Sequence, residues 1–252
     1  MKRIAIVGDI HGNLAALEAV LADIAERRVD RIVDLGDVAQ GSLQPAAVID
    51  RLRQAGVASI RGNADRLLLA SSPPPGYEAD YCLARAEMSA ADVEWLGSQP
   101  DFRVIDDVYL CHGTPSSDTT GLLETIEAGG ARVGSDREIA ARLGNVGLAS
   151  LIAVGHTHVP RSVRLVDGRL CINPGSVGLP AYEDDQPFPH VMEAGSPHAR
   201  YAIIDRPGAA WRVEHVAIAY DWEGAAAVAE ARGRPDRAFW LRTGRSRPKV
   251  VP

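Results

Sequence analysis

The chain has 252 residues, 46% of them hydrophobic and 24% charged, enough for one substantial core in an ordinary soluble globular protein. A formal net charge of -6 excludes a surface built to wrap nucleic acid, so an anionic partner must be attracted by something local. No stretch approaches the ~18 consecutive apolar residues of a membrane span, and Cys82, Cys111 and Cys171 form no CxxC pair, which argues against a disulfide framework or a zinc ribbon.

The opening MKRIAIVGD contains no apolar signal-peptide region, so a cytoplasmic location is expected. RIAIV (3–7) reads as a buried strand, followed from about Asn13 by a helix with Leu14, Leu17, Val20, Leu21 and Ile24 on one face. RIVDL (31–35), a helix from Pro45 to Ala55, and VASI (57–60) repeat the alternation, as βαβ units with a mainly parallel sheet do. SSPPPG (71–76) is a loop, and SAADVEWL predicts a helix capped by Ser89.

Strands dominate from there. FRVI (102–105) and VYLCH (108–112) flank a turn at Asp106-Asp107; SLIAVGH (150–156), SVRLV (162–166), RLCIN (169–173), YAIID (201–205) and WRVEHVAIA (211–219) come next. The stretch 179–200 is too rich in turn formers for a strand; it carries His190 and His198 and is either a lid over the site or a solvated loop. After Tyr220 the pattern predicts one or two helices (221–252), with Arg242, Arg245, Arg247 and Lys249 in a solvated basic end. No long linker divides the chain, so residues 1–252 form one domain.

Chemistry is concentrated where apolar strands stop: GDIHGN, GDVAQG, RGNAD, CHGTP and GHTHVP each come directly after one. In an open α/β sheet the carboxyl ends of the strands converge on the ligand crevice. These segments deliver Asp9, His11, Asp37, Asn63, His112, His156 and His158, a carboxylate, imidazole and amide-oxygen set that suits Mn, Fe, Zn or Co. Seven donors are too many for one ion, whereas two ions ~3.5–4 Å apart and bridged by a carboxylate would use them all.

The ordered motifs resemble the signature of the calcineurin-like metallophosphoesterases, GDxH, GDxx, GNxx, xxHG and GHxH, spread here over residues 8–158. The resemblance implies an α/β fold of two mixed β-sheets packed as a sandwich flanked by helices. It implies two divalent metal ions, one held by Asp9, His11 and His158 and the other by Asn63, His112 and His156, with Asp37 bridging. It implies hydrolysis of phosphomono- or phosphodiesters through in-line attack by a water that both ions acidify, with Asp37, Asn63 and His112 in catalytic positions and a small phosphorylated compound or a phosphoprotein as substrate. Two other readings are a protein or dinucleoside polyphosphate phosphatase, and a non-catalytic scaffold of the kind this fold supplies to the retromer complex, in which the ligand set is usually eroded.

Two arginines adjoin the motifs, Arg61 and Arg161, and are candidates for gripping a phosphate. NPGSVG (173–178) reads as a turn supporting the site, and Asp65 as a cap of the following helix. One position departs from the family pattern. Many members have histidine after GN, where it aids the leaving group; here the residue is Ala64, so a proton donor is missing and a histidine restored there is expected to help basic leaving groups most.

Overall fold

The computed structural model describes residues 3–73 and 75–246; Arg247 and Lys249 of the basic end and Pro74 of the SSPPPG loop lie outside the described residues. The first half alternates strands and helices: β1 (Ile4–Val7), α1 (Leu14–Glu26), β2 (Arg31–Asp34), α2 (Pro45–Gln54), β3 (Ala58–Ser59), α3 (Asn63–Leu68), α4 (Glu78–Glu87) and α5 (Ala90–Ser98). Then come β4 (Phe102–Ile105), β5 (Val108–Cys111), β6 (Glu124–Glu127), β7 (Gly130–Val133), α6 (Asp136–Leu143), β8 (Leu151–Ala153), β9 (Arg161–Arg164) and β10 (Leu170–Asn173). The chain continues through β11 (Ala181–Asp184), β12 (His190–Glu193), β13 (Ala199–Asp205), β14 (Arg212–Ile218), α7 (Trp222–Ala231) and α8 (Pro235–Thr243).

Two five-stranded mixed sheets result. In the order β14-β13-β1-β2-β3, strands β1, β2 and β3 run parallel and β13 and β14 antiparallel; in β4-β5-β8-β10-β9, strands β5, β8 and β10 are parallel and β4 and β9 antiparallel. Side chains alternate between faces of a strand, and here both faces are covered. Ile4 and Ile6 of β1 meet Val108 and Leu110 of β5, Leu151 and Ala153 of β8, and Leu170 and Ile172 of β10 in the core between the sheets. Ala5 and Val7 point the other way, onto Leu17, Val20, Leu21 and Ile24 of α1, while Tyr109, Cys111, Ile152 and Cys171 face Ile139 and Leu143 of α6. Burial on both faces explains why the parallel strands read as continuous apolar runs rather than as alternating ones.

Three parts of the chain differ from the sequence reading. The segment 179–200, expected to exclude strands, contains β11 and β12, paired antiparallel from Ala181↔Glu193 to Asp184↔His190. Each strand takes its hydrogen bonds from the other, and the prolines of QPFP fall in the connection between them. The β6–β7 hairpin and α6 after the CHGT motif, and α4 after the SSPPPG loop, lie in stretches to which the sequence reading assigned no element. The segment just beyond α8 anchors the hairpin β11–β12: Gly195 N–H donates to Gly244 O at 2.9 Å and Ser246 N–H to Glu193 Oε1 at 2.7 Å, while Trp240 and Phe239 of α8 pack against Leu179, Ala181 and Tyr182.

Candidate metal centre

The carboxyl ends of β1, β2 and β3 in one sheet, and of β5 and β8 in the other, meet along one edge of the sandwich. Each strand there gives way to a tight corner. Asp9 (φ 53°), His11 (φ 49°), Asp37 (φ 57°), His156 (φ 68°) and His158 (φ 59°) all sit in the left-handed region, which costs a non-glycine residue about 1–2 kcal/mol. Only two other non-glycine residues among those described, Arg28 and Asp106, do so. Strain this concentrated persists only where surrounding bonds over-determine it.

Those bonds are visible. Asp9 N–H donates to Gly36 O and His11 N–H to Asp37 O, each at 2.9 Å, locking the first two motifs together. Gly155 N–H donates to His112 O at 2.8 Å within the second sheet, and His156 N–H donates to Asp9 Oδ1 at 3.2 Å, which joins the two sheets. The NPGSVG turn closes over both: Ser176 Oγ donates to Asp9 O at 2.7 Å, Gly178 N–H to the same carbonyl at 3.0 Å, and Asn173 Nδ2 to Gly155 O at 2.7 Å. Close approach requires glycine at Gly62, where a Cβ would run into the Asp37 carboxylate and its backbone nitrogen.

Asp9, His11, Asp37 and His158 bring one ligating atom each to within 4.8 Å of one another. The carbonyls behind the imidazoles decide how they face. His11 Nδ1 lies 2.9 Å from Gln40 O, His112 Nδ1 2.7 Å from Leu35 O, and His158 Nδ1 2.6 Å from Leu179 O. Each carbonyl accepts a hydrogen bond from Nδ1–H, so in the neutral ring Nε2 carries a lone pair directed into the cluster. His11 Nε2 lies 3.3 Å from His158 Nε2 and 3.7 Å from Asp37 Oδ2, and Asp9 Oδ2, fully buried, makes no hydrogen bond. On the other side, the Asn63 amide meets His112 Nε2 at 2.9 Å and His156 Nδ1 at 3.0 Å; with no metal between them its nitrogen donates to both rings and its oxygen accepts from Ala64 N–H. In the group of Asp9, His11, Asp37 and His158, acceptors aimed at acceptors repel unless a cation lies between them, so the residues present fit a divalent metal.

Asp37 faces both groups: its Oδ2 is 3.7 Å from His11 Nε2 and 3.3 Å from His112 Nε2, and its Oδ1 accepts from Ala64 N–H at 2.8 Å. Without a metal, protons stand in for part of the missing charge. Burial is the largest influence on His112 and opposes its charged form, but the Asp37 carboxylate outweighs it and pushes the imidazole up to about 10. Burial likewise works against ionising Asp37, yet the imidazoles around it, His112 foremost, hold it well below the usual carboxylate range. His11 and His156 go the other way, lowered to about 4 by burial.

Comparison with known proteins adds the decisive observation: residues 1–193 match the calcineurin-like phosphoesterase superfamily domain. The chain belongs to that family. It is similar to a metallophosphoesterase structure from Sphaerobacter thermophilus at 26% identity and TM-score 0.72, covering 95% of this chain and 98% of that one. An uncharacterised protein of Methanocaldococcus jannaschii is 26% identical over 233 residues, 86% of this chain and 88% of that protein. A hypothetical protein from Pyrococcus horikoshii shares the fold at TM-score 0.75 and 18% identity, covering 98% and 100% of the two chains.

In this calcineurin-like phosphoesterase domain the two arginines singled out in the sequence are held elsewhere. Arg61 donates to Gly97 O at 3.2 Å and pairs with Asp101, and Arg161 Nε donates to Glu124 Oε1 at 2.9 Å; these partners, among the described residues, are not the seven donors. His198 bonds Ser196 Oγ at 3.1 Å, and His190 lines a cavity beside the centre. Two residues matter more than their sequence context suggested. Asp65 sits in the first turn of α3 and accepts from Gly62 N–H at 3.1 Å, but also from Asp37 N–H at 2.8 Å and Val38 N–H at 2.9 Å. Tyr182 stands edge-on to His158, ring centroids 4.8 Å apart. The GNxD spacing could have drawn attention to Asp65; nothing local could have found Tyr182. Among the described residues, no helix is long and apolar enough to cross a membrane.

Proposed function

We propose that the protein is a phosphoesterase that works with two divalent cations, one held by Asp9, His11 and His158 and the other by Asn63, His112 and His156, with Asp37 between them. The observation that carries this reading is the set of imidazole Nε2 lone pairs, oriented by the carbonyls of Gln40, Leu35 and Leu179 toward each other and toward Asp37. Cations bound there would neutralise phosphoryl oxygens and acidify a water toward a pKa of ~7 for in-line attack on phosphorus. The nitrogen and oxygen donors, with no thiolate among them, suit Mn, Fe, Zn or Co.

The chain's own residues do the rest. Asp37 is steadied through Oδ1 by the Ala64 N–H, which leaves Oδ2 turned to both clusters. Ala64 offers no proton to a departing oxygen. A complete donor set supports catalysis over a scaffold role, and the three free cysteines accord with a reducing, cytoplasmic setting. The test is to reconstitute the chain with Mn²⁺ and assay phosphomonoesters, phosphodiesters, nucleoside polyphosphates and a phosphopeptide. Metal-dependent hydrolysis of at least one class is expected; failure on all of them after loading with Mn, Fe, Zn and Co in turn overturns the reading.

A further inference from the structure

A cavity of about 780 Å³ adjoins the metal centre and includes His156 and Thr157 in its lining. The hairpin β11–β12 contributes Tyr182, Asp184, His190 and Met192; β6 and α6 contribute Glu124, Ile126 and Glu138; and Tyr77 joins them. The two hairpins meet, with β12 packed against β7, so the walls are held by tertiary contacts. The volume falls in the range of small-molecule sites.

The charges in this lining would reject a second anionic group. Arg142 is the one guanidinium among the lining residues, and it is committed to the wall: it donates to Gly121 O at 3.0 Å, Glu138 O at 3.2 Å, Thr125 Oγ1 at 2.9 Å, and to Glu124 O. Glu124 is paired with Arg161 and Glu138 with Arg132, while Asp184 has no ion pair among the described residues. A further phosphate here would meet a carboxylate and no uncommitted arginine. Tyr77, Tyr182, Ile126 and Met192 instead offer aromatic and apolar surface, and the carboxylate and threonine oxygens can accept from hydroxyls.

We propose that this cavity seats the substrate's leaving group, and that it selects an uncharged, hydroxyl-bearing group of nucleoside size with an aromatic or apolar face over one that carries another phosphate. The inference rests on the phosphoesterase reading above. Tyr182 links the two regions, because the ring that lines the cavity also stands against His158.

The experiment compares substrates with the same scissile 5′-oxygen in the Mn²⁺-loaded full chain: adenosine 5′-phosphate against adenosine 3′,5′-bisphosphate, and the 5′-methyl diesters of both. The uncharged leaving group should have the higher kcat/KM by about tenfold or more, and Asp184→Lys should shrink that ratio below about threefold. Ile126→Trp, which fills the cavity, should slow the adenosine esters by about tenfold or more while the metal content of the chain is unchanged. Equal kcat/KM for the charged and uncharged members overturns the inference while leaving the phosphoesterase reading intact. Should no ester be hydrolysed, that reading fails, and calorimetry still decides the cavity: it should bind adenosine more tightly than adenosine 3′-phosphate, with the difference lost in Asp184→Lys, and indifference between the two overturns it.

Discussion

The carboxylate of Asp65 accepts a hydrogen bond from the backbone N–H of Asp37 at 2.8 Å, so a residue that bonds no other donor of the cluster holds the one that faces both halves of it. Its oxygens also take Val38 N–H at 2.9 Å and Gly62 N–H at 3.1 Å, fastening the left-handed corner at Asp37 to the start of α3. Burial raises Asp65, and the nearby Asp37 charge adds to this, carrying it to about 7.

Asp65→Ala should therefore cost more than a surface change. Buried backbone N–H groups left unpaired cost about 1–3 kcal/mol each, and the corner at Asp37 loses its restraint. The expected result is a lower Tm together with loss of bound metal on dialysis. An Asp65→Ala protein that retained its full metal content would show that the corner stands without this carboxylate.

Metal content itself provides the next check. Reconstituted protein should hold close to two transition-metal ions per chain, and Asp37→Asn should weaken both sites, because one carboxylate oxygen faces both His11 and His112. Chelation should also lower Tm, since the cluster then confronts buried acceptors with each other. Elemental analysis that finds one ion, or an Asp37→Asn protein that loses only one of two, would refute the shared role.

Metal-free protein should show a characteristic dependence on pH. The folded state pushes His112 from 6.5 up to about 10, so its stabilising contribution is fully present below about pH 6.5 and is lost as pH rises toward 10. Buried Cys111, raised to about 12 by burial, adds a contribution of the same sign only once an unfolded thiol ionises above about pH 8.5, because the folded thiol then holds a proton that the unfolded one has released and stability falls further. Between about pH 6.5 and 8.5 the urea midpoint of metal-free protein should therefore fall, and His112→Ala should flatten that slope.

Leaving-group dependence tests the consequence of Ala64. With no proton donor on that side chain, kcat/KM should drop steeply as the leaving group becomes more basic, and aryl phosphoesters should far outpace alkyl ones. A shallow dependence would point to another donor, with His190 in the adjoining cavity the first to replace by alanine. The structure alters the expectation for Ala64→His. The Ala64 side chain is 2% exposed, so a histidine there overpacks the first turn of α3, at a cost of about 1–3 kcal/mol, and a lowered Tm should precede any gain on alkyl substrates.

Much of the centre was legible in the sequence because its parts are local. A β-branched run ending in Gly-Asp or Gly-His announces both a buried strand and the residue delivered at its end, and the buried faces of β1, β5, β8 and β10 come from the same runs. Asp9, His11, Asp37, Asn63, His112, His156 and His158 could thus be named from five short motifs, and the two mixed sheets from the family resemblance that those motifs carry. What the chain does at a distance could not be read this way. The carbonyl that orients His112 belongs to Leu35, 77 positions earlier, and the ring against His158 comes from a strand that exists only because 181–184 and 190–193 pair with each other. Arg61 and Arg161 look available beside their motifs, yet Asp101 and Glu124 take them up once the chain is folded. Residue type and spacing determine which donors are delivered; tautomers, ion pairing and cavity walls depend on contacts between segments far apart in the chain, which only the tertiary structure brings within bonding distance.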